Sequence, residues 1–133
     1  MFTIEQINTA HSKVKSGADF PAYIAELKKL GIVSYNAFVA DGHIEYYGNN
    51  NYRINSSPKY SAVLIAGTAN KEQFKADLRA HQQGKTDYPT FLNDCCKSGI
   101  NKWIILMEKM TCSYYDKAGN EVVTELIPQP AKD

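Results

Sequence analysis

The chain has 133 residues and a mass of 14.9 kDa, about one ordinary domain and long enough to bury a real core. Hydrophobic residues make up 44% and charged residues 22%, a balance that excludes a disordered polyelectrolyte, and the formal net charge is +1. There is no lysine or arginine run and no apolar run near the roughly 18–20 residues of a membrane span. The composition therefore argues against a nucleic-acid stripe, an anionic-lipid surface and a bilayer helix.

In chain order, Thr3 reads as a helix N-cap, with Gln6 three residues later as a capping box requires. Ile4, Ile7, His11 and Val14 follow at helical spacing, and Gly17 is the expected stop. Asp19 is expected to cap a second helix with Pro21 in its first turn and Phe20, Tyr23, Ile24, Leu27 and Leu30 on the buried stripe; Gly31 ends it. From Ile32 the period becomes two. "IVSYNAFVA" and "HIEYYG" flank Asp41-Gly42, a hairpin signal that predicts Val39 opposite Ile44 and Ala37 opposite Tyr46. Tyr35, Ala37, Val39, Ile44 and Tyr46 then share the core face, and Phe38, His43, Glu45 and Tyr47 the other.

"YRI" and "YSAVLIAG" read as two more strands. Asn70 caps a third helix through Phe74, Leu78 and His81 to Gly84, and Asp87 caps a fourth with Pro89 in its first turn and Tyr88, Phe91, Leu92 and Cys95 on the buried stripe, ending at Gly99. "KWIILMEKM", "TCSYYD" and "EVVTELI" read as strands, the last two joined by the turn "DKAGN", and residues 128–133 as a frayed tail.

The order is thus helix, helix, strands, written twice. "DFPAY" at Asp19–Tyr23 returns as "DYPTF" at Asp87–Phe91. Thr3–Gly17 aligns with Asn70–Gly84 at an offset of 67, and Ala18–Tyr47 with Thr86–Tyr115 at 68. Ten of the 45 aligned positions are identical, where about three are expected from ordinary residue usage. Tyr46-Tyr47 and Tyr114-Tyr115 match at positions that capping grammar does not dictate. The expected fold is α+β: one domain spanning 1–133, with two pseudo-symmetric repeats at about 3–66 and 70–127. Four helices pack on one side of a mainly antiparallel sheet, because neither half alone can bury its sheet.

The segments "FTIEQINTAHSKVKSGADFPAYI", "FVADGHIEYYG", "NKEQFKADLRAHQQGKTDYPTF" and "MTCSYYDKAGNE" resemble the YbcV-like family of small enterobacterial and prophage-encoded proteins. The resemblance covers nearly the whole chain. It implies a single-domain bacterial protein of unknown function, some of whose relatives are labelled phage envelope protein, and it transfers no catalytic or ligand residue.

Candidate chemistry is sparse. In the repeat frame His11 stands where Leu78 stands, and His81 where Val14 stands, so each imidazole replaces a core-facing apolar residue. Pseudo-symmetry would bring the two to one interior pocket; the alternative is two separate histidines at the edge of the core. No HExxH or CxxC spacing supplies further metal ligands. Cys95 and Cys112 align with buried Leu27 and Ile44, leaving Cys96 as the more exposed thiol. The paired carboxylates Glu5 and Glu72, and Asp19 and Asp87, each have a sufficient role at a helix start. No GxGxxG, Walker-type loop or GxSxG occurs.

The leading expectation is a non-enzymatic binding or interaction module using the sheet face of Tyr47, Tyr115, His43, Glu45 and Phe38. The alternative is a small-molecule enzyme or ligand carrier with a pocket between the repeats at His11 and His81. A polar pocket of several hundred Å³ touching both histidines favours the second, and a flat tyrosine face with both histidines packed favours the first. No catalytic residue, metal or cofactor is assigned. The expected partner is a protein or small molecule, not nucleic acid or membrane, and a homodimer is open. "MFTIEQINTAHSK" lacks the pattern of a signal peptide, and three cysteines give no disulfide framework, so the expected compartment is the cytoplasm.

Overall fold

A computed structural model of the chain describes residues 1–14 and 19–128. Its elements run α1 (Ile4–His11), α2 (Phe20–Leu30), β1 (Ile32–Phe38), β2 (Ile44–Gly48), β3 (Arg53–Asn55), α3 (Lys71–Gln82), α4 (Tyr88–Lys97), β4 (Lys102–Leu106), β5 (Thr111–Tyr115) and β6 (Glu121–Leu126). The strands form one antiparallel sheet in the order β3-β2-β1-β4-β5-β6. This is the expected α+β single domain, with four helices against the sheet.

Local chemistry accounts for most helix ends. The Thr3 amide donates to Gln6 Oε1 at 2.9 Å and the Gln6 amide to Thr3 Oγ1 at 3.2 Å, completing the capping box. Asn70 accepts from the Gln73 amide at 3.1 Å, and Asp87 from the Thr90 amide at 2.9 Å. Asp19 behaves differently: its backbone is already helical and its side chain makes no capping bond to α2. The helix that was expected to run past Val14 ends at His11, and its expected stop, Gly17, lies outside the described residues. The frayed tail likewise falls there, Pro128 excepted.

Three strand expectations need correction. The hairpin register is two residues off: Ala37 pairs with Ile44 and Tyr35 with Tyr46. A shift of two preserves the faces, so the expected core side holds. Val39 leaves the β1–β2 ladder for the loop, where its amide bonds to Asn101 O at 3.0 Å. "KWIILMEKM" is strand only to Leu106, and Met107–Met110 turns the chain, with Met110 at φ 51°. "YSAVLIAG" is no strand. The chain there must cross from the β3 edge towards α3, so its amides reach a loop and a helix end: Val63 N to Ala40 O at 2.8 Å, and Ala66 N to Cys96 O at 2.9 Å.

The core lies between the helices and one sheet face. Ile24 and Leu27 of α2, Phe74 of α3 and Cys95 of α4 are fully buried above Tyr35, Ala37, Tyr46, Trp103, Ile105 and Tyr114. The opposite sheet face carries half-buried polar and aromatic side chains, as antiparallel sheets with one wet face do. At the centre, Asn36 pairs with Ile104, two positions 68 residues apart, the offset of the repeat. Tyr35–Tyr46 in the first half has its counterpart in Trp103–Tyr114 in the second, and Ala37–Ile44 in Ile105–Cys112. Even the turn agrees, with Gly42 at φ 77° and Met110 at 51° in corresponding places. This register is compatible with an approximate two-fold axis between β1 and β4.

Candidate functional site

A cavity of about 530 Å³ lies between the two helix pairs and the sheet. Its walls are compatible with the repeat. His11 and Leu78 both line it, as do Val14 and His81, and Phe20 and Tyr88. So do Tyr23 and Phe91, Tyr35 and Trp103, and Ile44 and Cys112. Each pair is separated by 67 or 68 residues, so both halves contribute corresponding positions to one chamber.

The two histidines thus touch one space, although they differ in setting. His11 ends α1 at the rim, exposed, with its ring edge-on to Tyr23 at 5.4 Å. It is therefore not the core-facing residue that helical spacing predicted. Loss of water around the ring, then the nearby Lys59 ammonium, holds it below the ordinary histidine value. His81 is half-buried, stacked on Phe91 at 4.4 Å, with Nδ1 at 3.2 Å from Thr86 O. Burial also lowers His81, opposed by the Thr86 carbonyl and the Asp87 and Asp94 carboxylates.

A depressed histidine has a definite consequence for stability. Between the folded-state value and the ordinary 6.5, the unfolded chain binds the proton more readily than the folded one. The contribution of neutral His81 is thus full above 6.5 and lost as the pH falls below it. Denaturant unfolding between pH 7.5 and 5 is expected to show falling stability with acid, and His81→Phe a shallower fall. An unchanged slope in the variant would assign the effect elsewhere.

Seven of the lining residues are aromatic, four of them tyrosines with hydroxyl tips. Burial pushes the Tyr23, Tyr35, Tyr88 and Tyr114 phenols well up and Tyr46 to about 12, so all are neutral donors at physiological pH. Tyr88 keeps 41% of its surface open but lines the cavity, and burial is the main cause of its raised pKa. On β6, Glu125 points to the same side as Cys112 and accepts from Gln82 Nε2 at 2.8 Å. The sequence places Tyr88 on a buried stripe and Trp103 opposite Tyr35 in the repeat, without assigning either to a site, and does not single out Glu125. The first two were legible as the repeat partners of Phe20 and Tyr35, whereas Glu125 had no such signal.

The other predicted site lies on the open sheet face. Phe38 and His43 stack at 4.4 Å, and Lys102 Nζ sits 6.0 Å from the Phe38 ring and 5.6 Å from that of Tyr115. Tyr47 donates to Glu45 at 2.9 Å, which raises its phenol pKa. All five residues share the face, but they form two groups. Tyr47 on β2 and Tyr115 on β5 have β1 and β4 between them, a separation of roughly 14 Å at ordinary strand spacing. Asp41, which sequence reasoning assigned only to the turn, accepts from His43 at 2.5 Å through Nδ1 and at 3.0 Å from its amide, which lowers the carboxyl's pKa.

The cysteines are not activated. Burial raises Cys95 and Cys96, and takes Cys112 up to about 12. Among the described residues no group of three or more His, Cys, Asp or Glu side chains is placed to hold a metal ion. No helix among them is long and apolar enough to cross a membrane.

Against this geometry, residues 8–126 match the family described as "Protein of unknown function (DUF1398)". The chain belongs to this family. No curated protein matches it. Membership in DUF1398 brings no assigned chemistry, so the functional argument rests on the cavity itself.

Proposed function

We propose that the chain is a non-enzymatic binding protein that carries a small organic molecule in the cavity between its halves. The observation behind this reading is the chamber of about 530 Å³ with both histidines in its walls. Ligand pockets typically span about 300–1,000 Å³, mostly apolar with a few placed polar groups. The aromatic residues of the lining fit that pattern, although the lining is less polar than the pocket expected for an enzyme or carrier. Neutral phenols, raised thiols and histidines depressed by burial offer hydrogen bonds rather than an activated nucleophile.

In this reading the halves, 3–66 and 70–127, are copies of one helix–helix–strands unit, and the ligand lies near their axis. A second reading keeps the open sheet face as a surface for a protein partner or a second copy. What favours it is the set of rings held by Lys102 and His43 on an uncovered face. A prophage setting follows from the resemblance to YbcV-like proteins, and a cytoplasmic one from the cysteine count.

Native mass spectrometry of protein purified without denaturation separates the two readings. Carriage is expected to appear as one organic adduct per chain on a monomer. A bare homodimer would favour the sheet face.

A further inference from the structure

The walls of the cavity also bear on the kind of molecule it takes. Seven lining residues are phenylalanine, tyrosine or tryptophan, among them Tyr23, Tyr35, Phe91 and Trp103. Among the described residues the lining contains no lysine or arginine, and its acidic residues are Glu125 and Asp87. Asp87 is at the rim and occupied with capping α4. Glu125 is different: it is half-buried on β6, directly opposite Cys112, on the side of the sheet that faces the chamber.

The partner of Glu125 is the neutral amide of Gln82, which orients the carboxylate without cancelling its charge. Among the described residues no lysine or arginine forms an ion pair with it. Lys59 acts on His11, in the other half's wall, and is not itself part of the lining. An apolar molecule filling this chamber would strip water from Glu125 and supply no counter-charge, which is costly. An anion would meet both the carboxylate and the negative faces of the rings. A cation satisfies both.

Resting on the cavity reading above, we propose that the ligand is an organic ammonium ion, aryl- or alkyl-substituted, held by the aromatic walls with Glu125 as its counter-charge. The ammonium sits towards β6 and its apolar part fills the space beneath α2 and α4.

Trp103, the single tryptophan, lines the cavity, so its fluorescence reports occupancy. The test titrates the protein with phenyltrimethylammonium, its neutral isostere tert-butylbenzene, and the anion benzenesulfonate. The cation is expected to bind about tenfold or more tightly than the isostere, with the anion weakest. Glu125→Gln should cut that preference severalfold, leaving only the part the rings supply. Gln82→Lys, at an exposed position, places a counter-charge beside Glu125 and should weaken the preference, which keeps the test alive if Glu125→Gln does not fold. Equal or tighter binding of tert-butylbenzene overturns the cation, and a preference undiminished in Glu125→Gln overturns Glu125 as its counter-charge, either result leaving the cavity as a binding site. Failure of all three probes to change Trp103 emission or the melting temperature overturns both.

Discussion

Phe74→Ala is expected to lower stability by about 3–5 kcal/mol and Tm by roughly 10–20 °C. Phe74 is fully buried on α3, with its ring centroid 4.9 Å from Tyr114 and 6.1 Å from Phe91. It therefore joins α3, α4 and the sheet in one aromatic cluster that continues through Trp103. Alanine at this site removes both the burial of the ring and the edge contacts, and the surrounding rings are too large to collapse into the gap. Thermal unfolding followed by circular dichroism measures the loss. A Tm drop of only one or two degrees would mean that the second half does not depend on this cluster.

A second large effect comes from a pair of corresponding glycines. Gly99→Ala is expected to cost about 2–4 kcal/mol, and Gly31→Ala only about 1 kcal/mol. Both have positive φ, 79° and 101° respectively, so alanine is strained at either site. At Gly31 a Cβ meets nothing nearer than a Phe2 ring atom at 4.0 Å. At Gly99 it falls 2.6 Å from Thr68 O and 2.8 Å from Ala69 Cα, and backbone does not move aside as a side chain can. The difference arises because the strap from β3 to α3 passes over the second glycine alone, where Asn70 N bonds to Ser98 O at 2.9 Å. Urea unfolding of both variants checks the order, and equal costs would refute this account of the crossover.

How much of this was legible in the sequence depended on whether the signal was local. Caps at Thr3, Asn70 and Asp87 are read by groups three residues away, so they could be seen directly. The sheet faces survived an error of two in the hairpin register because side chains alternate with a period of two. What failed depended on distant partners. "YSAVLIAG" has strand composition, but the sheet edge gives it no ladder. "KWIILMEKM" hides a turn because Met110, unlike Gly42, does not advertise its positive φ. The repeat aligns Met110 with Gly42, and that correspondence is where the turn is legible in the sequence.

The candidate site follows the same division. His11 and His81 both line one chamber, one of the two outcomes that the repeat frame left open. It did not foresee that His11 would end its helix at the rim, because α1 stops a turn earlier than its apolar spacing suggests. Glu125 joined the lining only through the pairing of β6 with β5, a contact with no counterpart among the aligned positions.

The most direct measurement of the central claim is native mass spectrometry on the wild type beside Ile44→Trp, whose indole would enter the cavity from β2. The wild type is expected to carry, or take up from added phenyltrimethylammonium, one small molecule per chain, and Ile44→Trp to carry none while remaining folded. A wild type that stays bare in both conditions, or an adduct retained equally by the variant, would contradict a binding site between the halves.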